Sequence, residues 1–248
     1  MADGGGTTFL EVQGRCPICG PDATFAASST WLRDSFACTR CHSLPRERAV
    51  MAAIEMFVPQ WRDKLIHESS PVWRGVSARL QQDAKGYSFS YFDHTRPLGG
   101  PHFVSGAVNQ NIESMTFEDA SFDLFLTQDV FEHIFRPDLA IREIERVLKP
   151  GGHTIMTVPM VNREQPSERR AALEGDTVRH IKPAAYHGDP VNADGTLVTF
   201  DWGFDVCAYF SSWSDLRGSM LIIDDLGRGI RAAYNEVIVM RRGPWPPL

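Results

Sequence analysis

No apolar run in this chain is long enough to span a bilayer, and residues 1–8 are rich in glycine where a secretory signal would need an apolar core. Both absences point to a cytoplasmic protein. Basic residues are not in excess: 25 Lys and Arg against 31 Asp and Glu leave a formal net charge of −6. Nonspecific binding to nucleic acid is therefore disfavoured, although a local basic patch can hide within such a sum. Cysteine is scarce, five residues in 248, and neither a covalent nucleophile nor a redox-metal motif stands out. Cys207 stands alone and reads as a buried apolar filler. With 43% hydrophobic and 23% charged residues, the chain can still build one full core and a small appendage.

The other four cysteines are grouped as Cys16-Pro-Ile-Cys19 and Cys38-Thr-Arg-Cys41, with 18 residues between the pairs. Two such turns place four thiolates where they can close a tetrahedron around Zn²⁺. Four sulfur ligands fill the coordination sphere, so the metal would be structural. Two disulfides are disfavoured in a reducing compartment, and a redox CxxC would not need two copies. Gly20 suits the tight turn, Phe25, Trp31 and Phe36 supply apolar contacts, and His42 is a substitute ligand of lower rank. This gives a disordered leader over 1–14, a zinc ribbon over 15–43 and a larger domain over 44–248. The spacing of Val50, Met51, Ile54 and Phe57 predicts a helix over 44–58 as the joint, with Arg46 and Arg48 either pairing to the ribbon, the first choice, or facing the ligand pocket.

Further on, Phe122, Leu124, Phe125 and Leu126 form a short apolar run, as in a parallel strand covered on both faces. Leu139, Ile141, Ile144, Val147 and Leu148 then recur at helical spacing, Pro150-Gly151-Gly152 reads as the stop, and 154–158 as the next strand. Strand, crossover helix and parallel strand make the unit of a doubly wound sheet, whose ligands lie beyond the carboxyl ends of the strands. Thr127, Gln128 and Asp129 leave the first strand at that edge.

The string Phe122-Asp123, Glu132-His133 and Arg146-Val-Leu-Lys-Pro-Gly-Gly152 closely resembles the second half of the nucleotide-binding core of class I S-adenosylmethionine (SAM)-dependent methyltransferases of the type 11 kind. The resemblance implies an α/β fold with a Rossmann-like, mostly parallel seven-stranded sheet, an antiparallel C-terminal strand pair, and SAM as cofactor. One departure stands out. Such proteins usually carry a Gly-rich turn after the first strand, and Lys64 to Pro71 has none. His67-Glu68-Ser69-Ser70-Pro71 with Arg74-Gly75 is similar instead to an atypical subgroup whose loop reads HExSPxxRG, often found with a zinc ribbon. By that resemblance Ser69, Ser70 and Arg74 hold the cofactor's carboxylate, Glu68 holds its amino group and His67 is a further cofactor-binding residue of the same loop; the other reading makes His67, Glu68 and Arg74 a loop network only. Asp93, after a strand at 87–92, is either a ribose ligand or a turn former. Asn111 stands where the family binds the adenine amino group, and Ile112 and Phe117 either sandwich the adenine or pack in the core.

In the family the histidine of the Glu132-His133 pair often faces the active site, while the glutamate stabilises helix and loop. Residues 161–203 interrupt the alternation of strands and helices as a polar insertion, most simply a lid or substrate wall. Within it Tyr186, His187 and Asp189 cluster, in a string similar to one that recurs in the same subgroup. His187 oriented by Asp189 is the first candidate for the proton acceptor, with His180 and Asp129 in reserve; a rigid turn is the alternative. A helix is expected over 204–213, and strands over 220–224 and 236–240. The resulting expectation is methyl transfer to an oxygen or nitrogen of a small or carrier-linked molecule, such as a sugar or secondary metabolite. RNA methylation, intramolecular displacement of the aminocarboxypropyl chain of SAM, and a non-catalytic scaffold are the alternatives. A homodimer is left open.

Overall fold

The structure is a computed structural model and describes residues 8–188 and 195–244. It opens with a three-stranded antiparallel ribbon, β1 (Leu10–Cys16), β2 (Gly20–Ala27) and β3 (Ala37–Cys38), with a single helical turn α1 (Leu32–Ser35) between the last two. Every second residue of β2 from Ala23 is buried, so Phe25 lies beneath the sheet against Phe36. The ordered chain thus begins well before residue 15: Leu10 to Gly14 pair with β2, which corrects the expected leader over 1–14.

Helix α2 (Pro45–Phe57) follows, started by Pro45 and by a Glu47 carboxylate that accepts from the Leu44 amide at 2.9 Å. Arg48 points from it into the ribbon base, fully buried, 4.7 Å over the Phe25 ring. Its guanidinium donates to the carbonyls of Ser43, Phe36 and Gly229. The charge is therefore held by backbone dipoles and an aromatic face, and it ties ribbon, helix and a C-terminal turn together.

The main sheet is built from β4 (Leu65–Ser69), β5 (Gly86–Tyr91), β6 (Val108–Asn109), β7 (Phe122–Gln128) and β8 (Leu148–Thr157), all parallel. Helices α3 (Gly75–Asp83) and α4 (Pro137–Val147) make crossovers. Beyond β8 come six short strands of the insertion: β9 (Glu168–Arg169), β10 (Ala171–Glu174), β11 (Thr177–His180), β12 (Tyr186–His187), β13 (Thr196–Leu197) and β14 (Phe200–Asp201). Helix α5 (Val206–Trp213), β15 (Arg217–Leu221) and β16 (Val237–Arg241) complete the fold. The sheet order is β15-β16-β8-β7-β4-β5-β6, with β16 antiparallel to both neighbours. This is the doubly wound seven-stranded sheet with an antiparallel C-terminal pair.

Alternation along the strands divides the core. Leu124 and Leu126 pack with Ile66, Ile155, α2, α3 and the ribbon, while Phe125 and Met156 pack with α4, α5 and Trp202. Pro150-Gly151-Gly152 lies inside β8 and is not a turn. Lys149, preceding proline, is biased to extended backbone, and the register of β7 on β8 shifts between Phe122 and Leu124 to absorb the glycines.

The ribbon does not stand apart from the sheet, since one buried cluster runs from Phe25 and Phe36 through Val50 and Ile54 to Ile155 and Val239. A Cβ on Gly14 would lie 2.0 Å from the Gly227 carbonyl oxygen. Gly14→Ala is therefore expected to force β1 off the C-terminal turn and cost about 1–3 kcal/mol by urea denaturation. An unchanged midpoint would show that this contact does not hold the ribbon down. Among the described residues no helix is long and apolar enough to cross a membrane.

Candidate functional site

The four ribbon cysteines are free and converge, their sulfurs all within 4.8 Å of one another. Cys16 and Cys41 Sγ are 3.7 Å apart, Cys19 and Cys38 Sγ 3.6 Å. A Zn–S length of about 2.3 Å requires a tetrahedral edge of about 3.8 Å, so the cluster fits that ion. Arg40 Nε donates to Cys19 Sγ at 3.1 Å, and Ser43 Oγ lies 3.1 Å from Cys41 Sγ, contacts that steady thiolates.

Behind the carboxyl ends of β4 and β7 lies a buried polar strut. Glu68 Oε1 accepts from Ser77 Oγ at 2.7 Å and Gln128 Nε2 at 2.8 Å, and Oε2 accepts from Tyr87 at 2.8 Å. Burial pushes the Glu68 carboxyl up to about 7, against the pull of those donors. Its acceptors are thus engaged within the protein. His67 is a core residue: its ring nitrogens are each 2.9 Å from Ser88 and Ser90 Oγ, and it packs on Phe117, Phe122 and Phe125. Burial lowers it to about 3, so it is neutral and sealed from any ligand, which corrects its expected cofactor role. Arg74 Nε binds Glu47 at 2.8 Å and leaves the rest of its guanidinium partly exposed at the start of α3. Ser69 is buried at the end of β4, and Ser70 takes a left-handed φ of 54° at the turn, a conformation a glycine would adopt without strain.

On the β5 side, Asp93 closes its own loop. Its carboxylate accepts from the Thr95 amide and hydroxyl at 2.9 and 2.7 Å and pairs with Arg96, and these donors hold it below the usual carboxylate range. This is the turn-forming geometry. Asn109, which the sequence did not single out, is fully buried and fixes the same loop through bonds to Asp93, Arg96 and Pro97. Asn111 Oδ1 accepts from the Glu113 amide at 2.9 Å, and Ile112 packs with Met115 in the core.

The exit of β7 carries buried polar groups. Thr127 Oγ1 and Gln128 Oε1 are buried without a hydrogen-bond partner. Asp129 follows with a φ of 51°, and its carboxylate accepts from Arg33 at 2.6 Å and Thr157 at 2.9 Å and forms an ion pair with Arg46 at 3.1 Å. Burial opposes its ionisation, but the two guanidinium groups outweigh it and hold the carboxyl below its ordinary range. Asp129 is therefore a pinned anion that ties the ribbon to the sheet, which removes it from the reserve bases.

The insertion roofs this edge. Thr199 Oγ1 donates to the Ile134 carbonyl at 2.6 Å, and His133 Nδ1 meets the Leu197 carbonyl at 2.9 Å. Strand β12 pairs with β13 and so brings His187 over Glu132, Nδ1 to Oε1 at 3.6 Å; the histidine is 43% exposed, the glutamate 2%. His133 Nε2 is 3.8 Å from the same oxygen. The Glu132 carboxylate alongside raises His187 above the ordinary imidazole value. His187 is thus partnered by Glu132; Asp189, its expected partner, lies outside the described residues. Tyr186 and His180 are exposed on the insertion. A cavity of 280 Å³ opens at the opposite edge of the sheet, among Lys64, Asp123 and Gly151, away from these groups.

Residues 92–156 match the methyltransferase domain family. Among solved structures the chain is similar to a Listeria monocytogenes protein described as an S-adenosylmethionine-dependent methyltransferase, at 9% identity over 79% of this chain and 99% of that one, with a TM-score of 0.51. A Mesorhizobium loti S-adenosylmethionine-dependent methyltransferase aligns at 13% identity over 78% and 98%, with a TM-score of 0.49. The Burkholderia thailandensis 1,6-didemethyltoxoflavin-N1-methyltransferase, solved with 1,6-didemethyltoxoflavin and S-adenosylhomocysteine, aligns at 12% over 80% and 79%, with a TM-score of 0.47. Two further structures align over only 46% and 52% of their own length. No curated protein matches the chain.

Proposed function

We propose that this chain is a class I SAM-dependent methyltransferase, a reading supported by the match of residues 92–156 to a methyltransferase domain family and by the doubly wound sheet, and that it transfers a methyl group to an oxygen or nitrogen of a small molecule. One observation carries the reading: Glu132, His133 and His187 meet just beyond the carboxyl end of β7, the edge where this fold binds its ligands. Bound SAM would supply an activated methyl on a sulfonium. The chain's own task is then to align acceptor, methyl carbon and sulfur, and to take up the acceptor's proton at the Glu132–His133–His187 group. Ser69, Ser70 and the amides at the start of α3 are the groups available for the methionine carboxylate, and Asn111 for the adenine.

A small acceptor is favoured over RNA by the state of the ribbon arginines. Of the arginines in the ribbon and α2, Arg33 and Arg48 are buried on internal partners, the exposed Arg40 is held by Cys19 and Arg46 by Asp34 and Asp129, which leaves Arg15, so among the described residues of this face no basic stripe follows a phosphate backbone. We assign structural Zn²⁺ to the four cysteines on the sulfur spacing, and a cytoplasmic setting on the free thiols.

Calorimetry with S-adenosylhomocysteine on the zinc-loaded protein tests the reading. One site per chain is expected, and no measurable heat would remove it. Mass analysis of SAM incubated with the protein alone should show intact SAM; an adenosyl thioether formed without acceptor would replace methyl transfer by self-displacement.

A further inference from the structure

We propose that Glu132, His133 and His187 form a binding site for a divalent first-row cation, separate from the cysteine cluster. Glu132 is 2% exposed in its side chain, and neither of its carboxylate oxygens has a hydrogen-bond partner. A buried, unpaired carboxylate is costly, and it persists in folded proteins chiefly when a cation or donor meets it. The two groups that face it are imidazole nitrogens at 3.6 and 3.8 Å, too far for hydrogen bonds. Ligand atoms about 2.1 Å from one ion stand roughly 3.0–3.5 Å apart, so these separations need only a small inward shift to share one. The three ligand atoms lie within 4.8 Å of one another.

The surroundings are those of a ligand set and not of a simple ion pair. The bond between His133 Nδ1 and the Leu197 carbonyl leaves Nε2 as the lone-pair nitrogen, turned toward Glu132. Asp129, the other acid acting on His187, is already neutralised by Arg33 and Arg46, so the Glu132 charge is the one left open. His187 is 43% exposed, which leaves coordination positions facing the mouth beneath the insertion. Two imidazoles, one carboxylate and open positions suit manganese, iron, cobalt or zinc as divalent ions.

Its chemical role rests on the methyl-transfer reading, whereas cation binding itself does not. With the ion bound, Glu132, His133 and His187 would serve as its ligands instead of taking up the acceptor's proton, and an acceptor hydroxyl on the ion would pass its proton to solvent. Its oxygen then bonds to the methyl carbon as the carbon–sulfur bond breaks, and the electron pair stays on sulfur, giving a methyl ether and the neutral thioether.

The test uses the full zinc-loaded chain, freed of weakly held metal, and titrates Mn²⁺ with electron paramagnetic resonance of the free ion. One equivalent should bind, and Glu132→Gln and His187→Ala should each weaken it at least tenfold. The near-isosteric Glu132→Gln keeps the fold, which a metal-free melting curve verifies. Absence of stoichiometric Mn²⁺ binding, or undiminished binding in Glu132→Gln, overturns the site. Titration with S-adenosylhomocysteine runs in parallel: Mn²⁺ binding without nucleoside binding keeps the cation site and removes the methyltransferase reading instead.

Discussion

Cys38→Ser is expected to lower the melting temperature by roughly 10–20 °C and to release the metal assigned to the ribbon. Cys38 is fully buried, and a hydroxyl is a poor substitute for a thiolate on zinc. Structural zinc contributes about 10–16 kcal/mol to the folding of small domains. Losing on the order of 5 kcal/mol of it shifts the midpoint of a chain this size by that temperature range. The transition should stay single. Phe25 and Phe36 share a buried cluster with Val50, Ile155 and Val239, and Arg48 binds carbonyls of both ribbon and C-terminal turn. Arg33 reaches from the ribbon to Asp129 at the sheet's edge. Scanning calorimetry with a chromophoric zinc indicator reads both effects. A separate low-temperature transition followed by an unshifted main one would mean that the ribbon is an independent appendage.

Much of this architecture was legible because it depends on local pattern. Helical spacing from Ile141 to Val147, the apolar run at 122–126 and the paired CxxC turns each repeat within a few residues, and the sheet and the sulfur cluster follow. The proline-glycine run was misread for a reason equally local: a glycine pair that ends one element can also form a bulge inside the next, and only the pairing partner decides.

The site was less legible because its contacts cross the chain. His67 looked like a loop ligand until strand pairing put Ser88 and Ser90 beside it, although two serines at alternate positions of one strand were a usable signal. The approach of His187 to Glu132 depends on how the insertion folds back through Leu197 and Thr199 onto the turn after β7. No spacing rule carries that information. Likewise, Asp129 kept the right position for a base, but the two arginines that occupy it come from the ribbon and from α2.

Glu68 should make the protein lose stability as the solution goes from mildly acid to neutral, by about 3 kcal/mol between pH 4.5 and 7. Burial raises its carboxyl to about 7 in the folded chain, above its value when unfolded. A raised value means the native state holds the proton more tightly, so the contribution is complete below the unfolded value and is lost as pH climbs through the folded one. Glu68→Gln has no such proton. It should flatten the slope, melting below the wild type at pH 4.5 and level with or above it at pH 8. Its carbonyl can keep the bonds from Ser77 and Gln128, and the Tyr87 hydroxyl can turn to accept from the amide. Glu68→Ala orphans all three donors and should cost at least about 3 kcal/mol at every pH, about 1 for each. Denaturation of the three proteins across this range separates the two effects. A wild type and Glu68→Gln with parallel profiles would show the carboxylate to be ionised throughout, and its burial to be relieved by water or by ligand at the end of β4.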